Sequence, residues 1–317
     1  MAAMKQEKAV VLGGVCVDVL VSGVDIPQAF RKETTPAGSI AFAVGGDAIN
    51  EASTIAKCGH PVRLACGVGT DFAGKLVLEQ ARALGIDDSS IHIAEGKATS
   101  LNCVVVNLDG ERRFLAPPFA ESLYFDFSIS MLEGAKVLSL ASLFTPPLTA
   151  PERLLPVVRA AKAMGCTVCA DMNINPAMSL ADYRDVLPYI DYLFPNAEES
   201  LYYTGKADVT AAAEVFRSFG VRTVLAKAGK DGAYLCGADG VTLVPSCKTR
   251  CVDTTGAGDN FAAGFISGLL DGLDDLACAR RAAAAAAISV AHVGAGTGIR
   301  SKEQVLAVTR TGIVPEN

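Results

Sequence analysis

Tryptophan is absent from this 317-residue chain, and aromatic residues make up 6% of it. A site that grips a flat base between rings therefore has little material to draw on. Histidine is scarce too, with three in the chain. The 10 cysteines are scattered, and one pair, Cys166 and Cys169, has C-x-x-C spacing. It sits in the strand-like run CTVCADM, where an offset of three puts the side chains on opposite faces. Two such thiols do not chelate one ion, so buried strand cysteines are expected rather than a structural zinc site. Basic residues do not dominate: 28 Lys and Arg face 34 Asp and Glu, for a net charge of -6. A broad nucleic-acid face is not expected. Small anions remain open to it, because backbone N–H groups bind phosphate without net positive charge.

Long apolar runs are missing as well. The N-terminal run is short and is cut by Asp18, so it is not read as a signal peptide. The stretch 282–299 is about as long as a membrane span but carries His292 and several glycines. It reads as a buried helix that ends in a loop. The expectation is a soluble, cytoplasmic protein with reduced thiols and no membrane partner.

What is present is alternation. Apolar strand-like runs stand at 9–14, 62–68, 136–142, 166–171, 190–196 and 222–229. Helix-like segments lie at 47–58, from the N-cap Asp71 to about 84, and at 151–164, 197–204 and 209–219. Further helices start near 257, 274 and 301. Near-continuous apolar strands alternating with helices predict an α/β fold: a mostly parallel sheet covered on both faces. No linker or repeat divides the chain, so one domain over 1–317 is expected. Two segments depart from the alternation. Residues 15–44 and 99–119 read as extended hairpins, with Asp109-Gly110 as a turn. They predict a small β-layer placed to act as a lid.

The richest chemistry is in DTTGAGDNFAAGF, 253–265. Gly256 and Gly258 let backbone N–H groups converge where a helix begins, which is an anion site. Asp259 falls in the first helical turn, beside that anion. On spacing alone it is either a capping acid or a base for a hydroxyl that attacks a bound phosphate.

DTTGAGD resembles the C-terminal signature D-T-x-G-A-G-D of the ribokinase-like, or PfkB, carbohydrate kinases, and every fixed position matches. The resemblance covers nearly the whole chain. It implies a three-layer α/β/α fold with a small β-sheet lid. It implies an ATP-dependent phosphotransferase acting on an alcohol group. Asp259 is then the general base, and the amides of Gly256, Ala257 and Gly258 form the anion hole. VGGDAIN is similar to the family's G-G-x-x-x-N. Gly45 and Gly46 would approach the sugar, and Asn50 and the upstream Asp18 would bind its hydroxyls. PNAEE resembles N-x-x-E, so Asn196 and Glu199 would position Mg²⁺ near the phosphates, largely through water. KAGKDG resembles a nucleotide loop, so Lys227, Gly229 and Gly232 would join Gly258 in binding ATP. VGAGTG matches the loop that covers adenine. Asp253, Thr255 and Gly294 would hold K⁺. Within the family the likeness is nearest to the YdjH-type bacterial sugar kinases. GGDAINEAS, LSLASLF, DYLFPN and GAGDNFAAGF carry it.

Departures from the family pattern bear on the acceptor. The stretch 282–287 is all alanine, where many relatives carry an Asn that contacts adenine. Phe144 stands near the place of a carboxylate in ribose-type members, and Asn175 where sugar-acid kinases have Arg. Arg112 and Arg113 lie on the lid, where either could meet an anionic substrate. The expectation is a kinase for a primary hydroxyl of a sugar or sugar acid, and a homodimer through the lid. A nucleoside kinase of the same fold is the alternative, with Phe42, Phe119 and Phe144 as its rings. A catalytically silent sugar-binding regulator is the other.

Overall fold

A computed structural model describes the chain apart from residues 1–7, 30, 32, 109–110, 118–124 and 316–317, and apart from the side chain of Arg112. The central sheet has nine strands. In its interior is β1 (Lys8–Gly13), flanked by β4 (Val62–Gly69) and β5 (Asp87–Ala94) on one side. On the other side follow β8 (Ala135–Leu143), β9 (Thr167–Met172), β10 (Tyr192–Leu193) and β11 (Thr223–Lys227). All these neighbours are parallel. The sheet ends in an antiparallel hairpin, β12 (Ala233–Gly237) and β13 (Gly240–Val244).

Successive side chains of β1 enter two different cores. Ala9 and Val11 pack with α1 (Asp47–Lys57), α2 (Phe72–Ala83), α6 (Ala257–Leu270) and α7 (Asp275–Val290). Val10 and Leu12 pack with α3 (Pro151–Ala163) and α5 (Val209–Ser218). That is the expected three-layer architecture, and it explains why β1 is apolar at every position. Cys169 and Cys166 fall into these opposite cores, as an offset of three requires. The alanine run lies in α7, which ends at Val290. Among the described residues no helix is long and apolar enough to cross a membrane.

The two segments set apart by sequence form a second sheet. Its order is β3 (Ser39–Gly45), β2 (Cys16–Val24), β6 (Leu101–Asn107), β7 (Arg112–Leu115). The Asp109-Gly110 turn lies outside the described residues.

Three elements differ from expectation. β5 and the β12–β13 hairpin carry no long apolar run, because each lies at a sheet margin with one face toward water. The 190–196 strand is paired only at Tyr192 and Leu193, since Asn196 already caps α4 (Ala197–Thr204).

Candidate active site

The carboxyl ends of β1, β8, β9 and β11 meet the N-termini of α1, α4 and α6 at one edge of the sheet, as ligand crevices of parallel sheets do. α6 begins there. Gly256 caps it at φ +71, and a Cβ on it would stand 2.3 Å from the Ala295 Cβ, so only glycine fits. The Ala257 N–H reaches the Thr254 carbonyl at 3.2 Å. Those of Gly256 and Gly258 have no acceptor among the described residues. Asp259 is buried in the first turn, and the Asn50 side chain donates to its Oδ2 at 2.7 Å. Burial pushes its carboxyl well above the usual range, and the nearby Asp47 adds to the shift. Such a group is a stronger base than a solvated aspartate.

Lys227 and Asp171 stand against Gly258. The lysine Nζ reaches both Asp171 oxygens at 2.9 Å, and a Cβ on Gly258 would lie 3.1 Å from that nitrogen. Burial alone would lower the lysine, but Asp171 and Glu199 overcome it and hold the ammonium charged. Asn196 and Glu199 form a reciprocal cap. Asn196 Oδ1 accepts the Glu199 N–H at 2.9 Å, and Glu199 Oε2 accepts the Asn196 N–H at 2.7 Å. Burial raises Glu199 to about 8 against the pull of Lys227. The Asn196 side-chain amide also donates to Glu199 Oε1 at 2.6 Å, so both carboxyl oxygens are held by Asn196.

Asp253 links two loops. One oxygen accepts the Thr255 N–H at 2.9 Å, the other the Gly294 N–H at 2.6 Å. The same loops are fastened by two residues that sequence reasoning passed over. Asn260 donates to the Gly256 and Ala295 carbonyls at 2.7 and 2.8 Å, while Thr54 donates to its side-chain oxygen at 2.6 Å. Lys57 holds the Gly296 carbonyl at 2.6 Å.

Of two cavities near this edge of the sheet, one is lined by Gly258, the chain neighbour of Asp259, and the other by Asp47. The larger, about 720 Å³, is lined by Asn196, Lys227, Gly229, Gly232 and Gly258. It therefore gathers the residues expected to bind nucleotide. Its far wall is Ala283, Ala286, Ala287 and Val290, so the alanines offer a smooth apolar surface where an Asn was looked for. The smaller, about 270 Å³, is lined by Gly14, Cys16, Gly46, Asp47, Asn102 and Asn173, among others. Asp18 stands behind Asn102, whose amide donates to it at 3.0 Å. Gly45 passes so close that a Cβ would meet the Asp18 Oδ2 at 2.8 Å.

Asp47 and Asn102 went unrecognised in the sequence, and Asp171 and Asn173 were noticed only as members of the run DMNIN. Asp47 was visible as a charge directly after Gly45-Gly46; the others come from distant strands.

The backbone of Arg112 stands along the lid strand from this pocket. It pairs with Val106, four residues along β6 from Asn102, or about 13 Å at 3.3 Å per residue. Arg113 is paired with Glu111 at 2.8 Å. Phe144 is fully buried against Tyr183 and Tyr203, each 4.5 Å away ring to ring. Asn175 is buried as well and donates to the Phe144 carbonyl at 2.7 Å.

Comparison with known proteins agrees with this geometry. A family model described as pfkB family carbohydrate kinase matches residues 6–302. The ribokinase of Schizosaccharomyces pombe is 30% identical over 275 residues, 82% of this chain and 85% of that one. The 2-dehydro-3-deoxygluconokinase of Bacillus subtilis is 26% identical over 277 residues, 83% and 85% of the two chains. Arabidopsis thaliana ribokinase, solved with ribose and ATP, superposes with a TM-score of 0.81. It is 24% identical, and the match covers 97% of this chain and 99% of that one.

Proposed function

The chain belongs to the pfkB family of carbohydrate kinases, and from that premise we propose that it moves the γ-phosphoryl group of ATP to a primary hydroxyl of a sugar or sugar acid. The observation that carries this reading is the position of Asp259. It is buried in the first turn of α6, next in the chain to Gly258 of the larger cavity and close enough to Asp47 of the smaller one to feel its charge. The acceptor hydroxyl gives its proton to Asp259 as its oxygen bonds to phosphorus, and the bond to the ADP oxygen breaks. Asn50 fixes the carboxylate rotamer. The amides of the 256–258 turn stabilise charge on the phosphoryl oxygens, with Lys227 beside them. Asp18, Gly45, Gly46 and Asn50 would hold the acceptor.

Asn196 and Glu199 would hold Mg²⁺ through water, and Asp253, Thr255 and Gly294 would frame a K⁺ site. Bound there, the cations supply charge neutralisation for the transferring group. The lid closes over the acceptor and excludes water that would otherwise compete for the phosphoryl group. A cytoplasmic location fits an ATP-using chain whose cysteines are all free. A homodimer formed through the lid fits the apolar surface that the lid exposes.

The nucleoside alternative loses one of its three rings, because Phe144 is sealed in the core. Phe119 lies outside the described residues, and Phe42 packs edge-on to Phe72.

ADP release should be measured with Mg-ATP and K⁺ over ribose, fructose, tagatose, aldonic acids, 2-keto-3-deoxy acids, adenosine and inosine. Asp259→Asn is expected to lower kcat on the best acceptor by about 10²–10⁴-fold with nucleotide affinity unchanged. Turnover that survives the substitution would remove Asp259 from its role.

A further inference from the structure

Asp171 has no part in the kinase reading, on which this inference rests, yet the fold brings it to the start of α6. In the sheet β10 separates β9 from β11. Cys169 on β9 and Leu225 on β11 both enter the core shared with α1, α6 and α7. Two residues further along each strand, Asp171 and Lys227 project from that same face, because side chains alternate. There they meet the turn that begins α6. A Cβ on Gly258 would stand 3.1 Å from the Lys227 Nζ and 3.2 Å from the Asp171 Oδ2.

The pair is fixed from both ends. Lys227 Nζ donates to both Asp171 oxygens at 2.9 Å, and the two side chains are 14% and 6% exposed. Asp171 Oδ1 also accepts the Met172 N–H at 2.9 Å, which pins the carboxylate to its own strand. The Lys227 N–H donates to the Pro195 carbonyl at 2.8 Å, which anchors the base of the stem. A lysine carries about 2 kcal/mol of rotamer entropy on a flexible four-carbon stem, and the carboxylate removes that freedom before any ligand arrives. Glu199 is the other acidic neighbour acting strongly on this ammonium. It is not placed to take over, since Asn196 holds both of its oxygens.

The pairing leaves part of the ammonium unused. It has three N–H groups, and Asp171 takes at most two. Among the described residues the remainder has no acceptor. Lys227 lines the larger cavity together with Gly258, and Asp171 does not line it. The carboxylate thus stands behind the ammonium, and the cavity lies in front of it.

We infer that Asp171 is a positioning residue for phosphoryl transfer. It holds the Lys227 ammonium beside the Gly258 amide, so that the remaining N–H meets an oxygen of the nucleotide's γ-phosphoryl group. Asp171 touches neither substrate and acts only through the lysine. A charge already in place needs no reorganisation as the phosphoryl group moves. Without its carboxylate the same lysine wanders among rotamers, and a misplacement of about 1 Å costs on the order of 10²-fold in rate.

The test is a double-mutant cycle on kcat/KM for Mg-ATP, run with the acceptor that the ADP-release panel identifies. Asp171→Asn is expected to lower it by about 10–100-fold, and Lys227→Met by at least as much, with the acceptor KM unchanged. The double variant should be no worse than Lys227→Met alone, because a carboxylate that works through the ammonium then has nothing left to position. Thermal transitions are recorded for every variant. A carboxylate that merely supports the fold would lower the transition, and its loss would multiply with that of Lys227→Met. Multiplying losses overturn the inference while the kinase reading stands. So does an Asp171→Asn variant that uses ATP as well as the wild type, or binds it more tightly through a released lysine. Should Asp171→Asn fail to fold, Asp171→Glu takes its place in the cycle. It keeps the charge, moves it by one methylene, and should show the same non-multiplying loss.

If no acceptor turns over, the kinase reading falls and calorimetry decides the inference. The wild type should bind a non-hydrolysable ATP analogue more tightly than ADP. Asp171→Asn and Lys227→Met should each lose most of that preference, and the double variant no more. A wild type without the preference, or a preference untouched by Asp171→Asn, overturns the inference.

Discussion

Glu51 follows Asn50 on α1 and is fully buried. Its Oε2 accepts from the Ser139 hydroxyl at 2.6 Å, and its Oε1 has no donor among the described residues. Burial drives its carboxyl well above the ordinary glutamate value, and the carboxylates of Asp171, Asp259 and Asp47 push the same way. A folded-state pKa raised this far gives stability that is whole below the unfolded value, near 4.5, and is lost as the pH rises toward the folded one. Glu51→Gln keeps the Ser139 bond and removes the charge. The variant should match the wild type in urea melts at pH 4.5 and exceed it at pH 7.5. The gain should grow with pH above the unfolded value by up to about 1.4 kcal/mol per pH unit, the linkage slope of one proton. Equal stability at both pH values would show that Glu51 is solvated or paired. Residues of this kind were not legible in the sequence. Asp259, Asn50 and Asp253 were, because they sit inside short motifs whose spacing survives in one dimension. Asp171 meets Lys227 across 56 positions and Asn260 meets Ala295 across 35, and no local pattern carries such pairs.

The helix start at Gly256 is where local chemistry fixes the site most tightly. α6 must begin against the 293–298 loop, and that contact leaves no room for a side chain on Gly256. Asp253, Asn260 and Lys57 all fasten the same two loops. Gly256→Ala has two costs: a left-handed alanine, about 1–2 kcal/mol, and a collision with Ala295 that displaces the amides. Its kcat should fall by about 10²-fold or more, the scale of losing one preorganised donor. Gly296→Ala is the control, since a Cβ there meets nothing within 4 Å. It should keep near wild-type kcat. Equal losses in the two variants would mean that general loosening of the loop, not the helix start, sets the rate. Element prediction succeeded where burial was two-sided, as in β1 and β8, and where caps were explicit, as at Asp71 and Asn196. It failed at β5 and at the β12–β13 hairpin. Their exposed faces dilute the apolar signal, and pairing with a neighbouring strand makes the structure.

The lid was legible as extended structure, but its surroundings were not, because they depend on what the sheet faces. Strand register divides its side chains. Asp18, Asn102 and Phe114 share the face that meets the acceptor cavity. Ile40, Phe42 and Leu115 share the other. A sheet with one solvated face carries polar residues there. This one instead exposes Ile40 at 69% and Leu115 at 63%, while Phe42 at 58% packs edge-on to Phe72 at the start of α2. Among the described residues both margins of the sheet, β3 and β7, are open edges. An apolar face flanked by unpaired edges is an association surface, and a second copy of the same lid would satisfy both needs at once. Light scattering at micromolar concentration should give twice the chain mass. Ile40→Glu combined with Leu115→Glu should give a monomer with an unchanged far-ultraviolet spectrum. Its acceptor KM should rise, since an unsupported lid closes less well, while its nucleotide KM should hold, because the larger cavity is built from other elements. A wild type that scatters as a monomer at these concentrations would leave the lid as a flap that works alone, and the apolar face would then have to close onto the body of its own chain.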